Sequence, residues 1–167
     1  RCDYFYDGYA VYANNSTIKE NYIEATSYNY SDPGSSSYSS SIKSNGSISS
    51  RSTIDSNIVV VNNYANGIRA SYADITNNTI KNYSNGWALI TNGNCTINNN
   101  IIKDISNGVY ATSSPSNILT NNRISVSNTG VYITTNSSVK AKYNLIKTQS
   151  GRGIHVENQS GQEFTNN

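Results

Sequence analysis

Apolar residues in this chain occur in short stretches where they alternate with polar residues. In Gly130-Val-Tyr-Ile, Val131 and Ile133 share one face of an extended strand and Tyr132 takes the other, because strand side chains repeat every two residues. Stretches this short and this rich in β-branched residues favour strands over helices. The pattern therefore predicts an all-β chain. The same frame places further pairs inward: Ile68 with Ala70, Trp87 with Leu89, Val109 with Ala111, and Ile154 with Val156.

A repeat of about 22 residues orders these strands. The pattern Asn-x-Ile/Val recurs at intervals of 21, 22, 22 and 22 residues from Asn57 onward. A second marker is a glycine that opens a short apolar stretch, and it recurs at Gly8, Gly46, Gly67, Gly86, Gly108, Gly130 and Gly153. Short parallel strands at a fixed repeat stack into a solenoid, in which each coil pairs its backbone with the coils above and below. The sequence predicts about seven coils.

The repeated asparagine has a physical reason. Asparagine tolerates the left-handed backbone conformation of a tight corner, and its amide can donate to one neighbour and accept from the other in a stack of identical residues. We predict a structural ladder of six asparagines, which are Asn21, Asn57, Asn78, Asn100, Asn122 and Asn144.

The coil length, the asparagine ladder and the inward Ile positions resemble the right-handed parallel β-helix superfamily, which has the pectate-lyase-like fold. The phrases NNTIKN, NNNIIKD and SNGVYATSS are similar to repeats of large secreted surface proteins of archaea and bacteria, including adhesin-like and sheath proteins. The first resemblance implies a right-handed parallel β-helix, with relatives that bind or cleave carbohydrates. The second implies a structural role outside the cell.

The chain is predicted to be one β-helix domain over residues 1–167, with a Ser/Tyr-rich insertion at about residues 28–43. The last fifteen residues align without a gap on residues 108–122, and the first eight align on residues 123–130. Joined tail to head, the two ends would complete one coil, and we recognise no cap at either end. We therefore expect the solenoid to continue from copy to copy, as separate subunits or as units of a tandem array.

Composition and charge narrow the function classes. Charged residues make up 13% of the chain, about half the ~25% of an ordinary soluble domain, and the net charge is +2. A chain this close to neutral has no basic stripe for a phosphate backbone, so nucleic acid is not an expected partner. A column of Lys81, Lys103 and Lys147, interrupted by Ser125, is predicted to be a solvated face that discourages lateral aggregation. No apolar run approaches the ~18 residues that cross a bilayer, so no membrane span is expected.

No catalytic or metal site can be assembled from the sequence. The ten acidic residues are scattered over different positions of their coils, whereas an enzyme of this fold would need acids on adjacent coils. The single histidine, His155, falls in an outward column with Tyr110 and Tyr132, where a stacked surface ladder is the expected role. We therefore predict no enzyme activity, no metal and no cofactor.

Both cysteines are candidates for an intermolecular disulfide. The alignment of the chain ends puts Cys2 at the inward position of Ile124, whereas Cys95 falls in a polar turn four coils away. That separation is too large for a bridge within one solenoid. The alternative is that Cys2 is a buried small side chain and Cys95 a free turn thiol.

Asn-x-Ser/Thr triplets suit a glycosylated protein outside the cell. Asn29 and Asn45 flank the insertion and are the preferred acceptors, because loops are accessible. The candidate N-glycosylation sites are Asn29, Asn45, Asn77, Asn82, Asn94, Asn136 and Asn158.

These features together predict a structural subunit of an extracellular assembly. The assembly would be a filament, sheath or surface layer at the cell surface, formed by head-to-tail stacking of copies of the chain. One alternative is a carbohydrate-binding or carbohydrate-cleaving module, with surface glycans as partners that stack on the abundant tyrosines. The other is an adhesin stalk that spaces a distal binding domain from the cell.

Overall fold

A computed structural model describes the protein at residues 2–4, 8–27, 39–113, 116–134, 136–157 and 161–167, with the backbone alone at residues 2–4. In these residues the strands pair in parallel and no helix forms. The predicted fold class, an all-β parallel solenoid, is confirmed.

Nineteen strands form in the described residues, and most contain three to six residues. They are β1 (Cys2–Tyr4), β2 (Tyr9–Asn14), β3 (Thr17–Lys19), β4 (Tyr22–Ser27), β5 (Ser40–Asn45), β6 (Ser52–Asp55), β7 (Ile58–Asn63), β8 (Asn66–Ser71), β9 (Ala73–Thr76), β10 (Thr79–Lys81), β11 (Trp87–Asn92), β12 (Thr96–Asn98), β13 (Ile101–Thr112), β14 (Asn117–Thr120), β15 (Arg123–Ile133), β16 (Val139–Lys142), β17 (Leu145–Thr148), β18 (Ile154–Val156) and β19 (Glu163–Thr165). Their shortness follows from the Asn, Gly and Ser residues that interrupt the apolar stretches.

The chain winds through three faces in a fixed order, and each face has one strand per turn. Face 1 contains β1, β4, β7, β10, the first parts of β13 and β15, and β17. Face 2 contains β2, β5, β8, β11, the last parts of β13 and β15, and β18. Face 3 contains β3, β6, β9, β12, β14, β16 and β19. β13 and β15 run without a break from face 1 to face 2, with register shifts around Ile105.

The number of turns is close to the predicted number. Face 3 has seven strands, and within the described residues its first and last strands have a neighbour on one side only. About five turns are therefore paired on both sides. The prediction of about seven coils counted the two outer turns as well.

The core is the inside of the solenoid, where one Ile or Leu of each turn stacks on the next. On face 3 this column contains Ile18, Ile54, Ile75, Ile97 and Leu119, all buried in one cluster. Burial of each such side chain contributes roughly 1.5–3 kcal/mol. The predicted inward residues of face 2 that lie in the same cluster are Ile68, Ala70, Leu89, Val109, Ala111, Val131 and Ile133, with Ile154 and Val156 half-buried against it.

Trp87 is the exception to the predicted inward frame. Its backbone N–H donates to Asn66 Oδ1 at 2.7 Å. The indole is only 7% exposed, but it packs with Ile90 and Tyr110 in a second cluster apart from the main core. The prediction that Trp87 faces the solenoid interior with Leu89 is therefore wrong.

Two details of the predicted organisation also differ. Residues 40–43, which the sequence assigns to the insertion, belong to β5, and β5 pairs with β2 and β8. Residues 28–38 of the insertion lie outside the described residues. Strand β1 pairs Cys2 with Ala25, two residues beyond the position that the alignment on Ile124 predicts. An offset of two preserves the alternation of the strand, so the repeat alone does not exclude it.

Candidate functional site

The structure brings the six predicted ladder asparagines into one column at the corner between face 3 and face 1. Each Nδ2 donates to the Oδ1 of the next asparagine at 2.9–3.1 Å. The order is Asn21, Asn57, Asn78, Asn100, Asn122 and Asn144. Asn167 accepts from Asn144 at 2.8 Å and adds a seventh member.

Asn100 illustrates how the column satisfies its buried polar groups. Its Oδ1 accepts from the backbone N–H of Asn78 at 2.9 Å and from Asn78 Nδ2 at 3.1 Å. Its own Nδ2 donates to the Ile75 carbonyl at 2.8 Å and to Asn122 Oδ1 at 3.0 Å. Because the side chain is fully buried, each of these bonds replaces one that water would otherwise make. The ladder is therefore a structural element that ties each turn to the next.

The left-handed backbone of this corner belongs to the residue before each ladder asparagine. Seven residues in this position have φ between 53° and 58°, and they are Glu20, Ser56, Asn77, Asn99, Asn121, Tyr143 and Asn166. None of the ladder asparagines, all of which are described, has a positive φ. The amide bonds therefore explain the regular spacing of the ladder. The left-handed backbone, which we predicted for the ladder asparagines, belongs to the residue before each of them.

Replacing Tyr143 by asparagine is expected to stabilise the protein by about 0.5–1 kcal/mol. A bulky side chain is strained at φ 58°, whereas asparagine tolerates this region. The Tyr143 ring is 61% exposed, so little packing is lost. Urea unfolding monitored by circular dichroism measures the change. The mirror variant Asn99→Tyr should lose a similar amount, and an unchanged midpoint in both variants would contradict the strain.

A polar groove lies at the corner between face 1 and face 2. Its volume is about 470 Å³, and five successive turns line it. Equivalent polar positions of these turns are Asn63, Asn85, Ser106, Ser127 and Gln149. Tyr83 and Asp104 also line it, and the Tyr83 ring is 83% exposed. Hydroxyls, amides, one carboxylate and an exposed ring suit hydrogen bonding and stacking to a polar ligand.

The groove is not evident from the sequence because its residues lie far apart along the chain. A polar residue does recur in the sequence every 21 or 22 positions from Asn63 to Gln149, and this periodicity could have indicated a polar column along the solenoid. Asp104 is the single acid among the lining residues, so the groove has no facing pair of carboxylates.

Outside the groove, Asp74 and Glu163 each pair with a nearby cation. Arg51 donates to the Asp74 carboxylate at 2.7–3.2 Å, and this bonding lowers the pKa of Asp74. Lys142 lies 2.7 Å from Glu163 and lowers the pKa of that carboxyl in the same way. The described part of the chain contains no group of three or more His, Cys, Asp or Glu side chains that could hold a metal ion.

Aromatic rings stack outside face 2, in the column where the sequence places His155. The rings of Tyr132 and His155 lie 4.7 Å apart with planes 13° from parallel, and Tyr110 lies 5.4 Å from Tyr132. Trp87 approaches Tyr110 at 5.1 Å. The Tyr132 hydroxyl donates to Glu157, which raises the pKa of Tyr132 to about 12. These rings cover one another, so Tyr83 is the better placed ring for stacking on a ligand.

Cys95 is not an exposed turn thiol. It is 2% exposed, packs in the main core, and its backbone N–H donates to Asn117 Oδ1 at 3.0 Å. Burial raises the pKa of its thiol to about 11. A cross-link would require the turn to open, so this position argues against the predicted intermolecular disulfide at Cys95. The side chain of Cys2 lies outside the described residues.

The candidate glycosylation sites differ in accessibility. Asn77 and Asn136 are exposed. Asn45 is partly buried, and its Nδ2 donates to the Tyr12 hydroxyl at 3.3 Å. Asn82 and Asn94 are also partly buried, whereas Asn29 and Asn158 lie outside the described residues. Exposure therefore favours Asn77 and Asn136 over the preferred Asn45.

Comparisons with known proteins bear on the fold. The family described as "right handed beta helix region" matches residues 50–167 of the chain. A search of curated proteins and a search of solved structures found no match. Among the described residues, no helix has the length and apolar character needed to cross a membrane.

Proposed function

Because the chain belongs to the right-handed β-helix family, we propose that it is a structural subunit of an extracellular filament, sheath or surface layer. The turns of one unit stack on the turns of the next, so that the solenoid continues beyond a single unit. The next unit is a separate copy or a further repeat of a longer chain, and the same groups pair in either case.

The direction of the asparagine ladder carries this proposal. Within the described residues, the Oδ1 of Asn21 accepts no hydrogen bond, and the Nδ2 of Asn167 donates only to the Ala141 carbonyl. At every step between them, an Nδ2 donates to the Oδ1 of the next turn. Asn167 of one unit therefore has the donor that matches the acceptor of Asn21 in the next.

Backbone pairing and packing support the same arrangement. The outer strands of a sheet present N–H and C=O groups that can pair with an arriving strand. A contact between one end of a unit and the other end of its neighbour does not close on itself, so it grows into a filament. The stacked Ile columns would continue across the junction and add apolar burial.

Electron microscopy of the purified protein tests the proposal. We expect filaments with an axial repeat of about 34 Å, from seven turns of ~4.8 Å each. Asn21→Leu removes the open acceptor and should reduce the sedimenting fraction. Asn85→Leu is the matched control, because Asn85 is also exposed but lies in the groove. Monodisperse wild-type protein at every concentration would contradict the proposal.

The groove favours a second candidate, a carbohydrate-binding module. Its exposed Tyr83 ring and its row of hydroxyl and amide side chains match the stacking and hydrogen bonding that sugar rings need. A single acid is suited to binding more than to hydrolysis, which uses two carboxylates. Monodisperse protein that binds soluble glycans would favour this candidate over the assembly.

A further inference from the structure

The cations of the described chain fall into two groups. Outside face 1, each described Lys or Arg side chain has a partner, such as Asp74 for Arg51 and Glu163 for Lys140 and Lys142. On face 1 there are four cations, and within the described part of the chain they make no ion pair and no side-chain hydrogen bond. These four are Lys81, Lys103, Arg123 and Lys147.

The four cations form one patch. Lys81, Lys103 and Lys147 lie in a row along the solenoid axis, with Ser125 between the last two, and we call this the basic row. Arg123 lies two residues before Ser125 on the same strand. Adjacent turns are ~4.8 Å apart, which is less than the ~8 Å screening length at physiological salt. Their fields therefore add, although the whole chain has a net charge of only +2.

Few acids offset this patch. Glu24 lies in the same column as Lys81 but two turns away from it, toward the first strand of face 1. Asp104 follows Lys103 but lines the groove at the corner. From the sequence we expected the lysine column to be only a solvated face. In the described residues every other cation has a partner, and that expectation does not explain why these four have none.

Exposed apolar side chains run beside the basic row. The column two residues earlier contains, in successive turns, Ile58, Thr79, Ile101, Arg123 and Leu145. Ile58 and Ile101 are each 42% exposed and Leu145 is 59% exposed, and we call these three side chains the apolar row. They share face 1 with the cations, because positions two apart on a strand point the same way. A soluble polyanion would neutralise the basic row and leave the apolar row in water. An anionic lipid surface would bury both.

We infer that face 1 docks on an anionic lipid surface. The basic row and Arg123 contact acidic head groups, and the apolar row enters the boundary between head groups and acyl chains. The solenoid then lies with its axis parallel to the surface. This contact is separate from the stacking ends, so it stands whether or not the units assemble. Ser125, which interrupts the basic row, also lines the groove, so the two surfaces adjoin at that residue.

Co-sedimentation with lipid vesicles tests this inference on the full chain. Wild-type protein should bind phosphatidylcholine vesicles that contain phosphatidylglycerol, bind pure phosphatidylcholine weakly, and lose binding as salt is raised. The double variant Lys103→Gln/Lys147→Gln should bind about 25-fold more weakly, at roughly fivefold per cation. Lys140→Gln/Lys142→Gln removes the same charge from face 3 and should leave binding unchanged. Equal losses in the two double variants would overturn the inference.

The apolar row distinguishes lipid from a soluble polyanion. Ile101→Ser/Leu145→Ser should weaken vesicle binding and leave binding to soluble heparin unchanged. Both side chains are exposed, so matching urea midpoints will show that the variant is folded. Binding to heparin without binding to anionic vesicles would overturn the lipid surface as the partner, and so would wild-type protein that does not sediment with anionic vesicles.

Discussion

Replacing Asn100 by alanine is expected to lower the free energy of unfolding by about 3–5 kcal/mol, because it removes five side-chain hydrogen bonds from the buried column. The backbone N–H of Asn78 loses its acceptor, Asn78 Nδ2 loses one of its acceptors, and the Ile75 carbonyl loses a donor. Each buried group left without a partner costs about 1–3 kcal/mol. Urea unfolding monitored by circular dichroism measures the change.

Asn85→Ala is the control for this variant. Asn85 is exposed, and its Oδ1 accepts from Ser106 Oγ at 3.2 Å. Its loss should change the free energy of unfolding by about 0.5 kcal/mol or less. Similar effects of the two substitutions would show that the ladder bonds add no more than a surface hydrogen bond.

Replacing Gly108 by alanine is expected to destabilise the protein by about 3 kcal/mol through overpacking between turns. A Cβ at this position would lie 2.2 Å from the Gly130 carbonyl oxygen and 2.9 Å from Ile124 Cγ2. A backbone oxygen cannot turn aside as a flexible side chain can. The two turns would have to separate, which weakens the backbone hydrogen bonds between β13 and β15.

Gly153→Ala is the matched control on the last described turn of face 2. A Cβ there would meet nothing within 4 Å, and neither glycine has a positive φ. The difference between the two variants therefore reports packing between turns alone. We expect a change of about 0.5 kcal/mol or less for Gly153→Ala in the same urea titration. If Gly108→Ala is equally mild, the turns can move apart locally and the close approach is not a constraint.

The fold could be predicted from the sequence because a solenoid repeats one local rule. Each turn meets only its neighbours, so a period of 22 residues in Asn and Ile is enough to place strands, corners and core columns. The glycine marker was less reliable. Gly46 and Gly86 lie outside strands, at other close approaches, where a Cβ would meet the carbonyls of Tyr72 and Ala65.

The environments of single residues were harder to predict than the fold, because they depend on contacts with neighbouring turns and on the direction in which each side chain points. Cys95 reads as a turn residue in the sequence, but the turn folds inward and buries it. Trp87 has the alternation of an inward residue, but its indole packs with Ile90 and Tyr110, apart from the main core.

By itself, the sequence determined the class of fold, the asparagine column and the inward Ile stacks, since these follow from periodicity along the chain. Only the tertiary structure decided which residues share a surface across turns. It gathers the groove residues from Asn63 to Gln149 together and places the four cations of face 1 side by side, with no ion pair to any of them within the described residues. The physical reason is that neighbours on a solenoid surface are about one repeat apart in the chain. Their contacts depend on register shifts and corner geometry, such as those at Ile105, that no local pattern encodes.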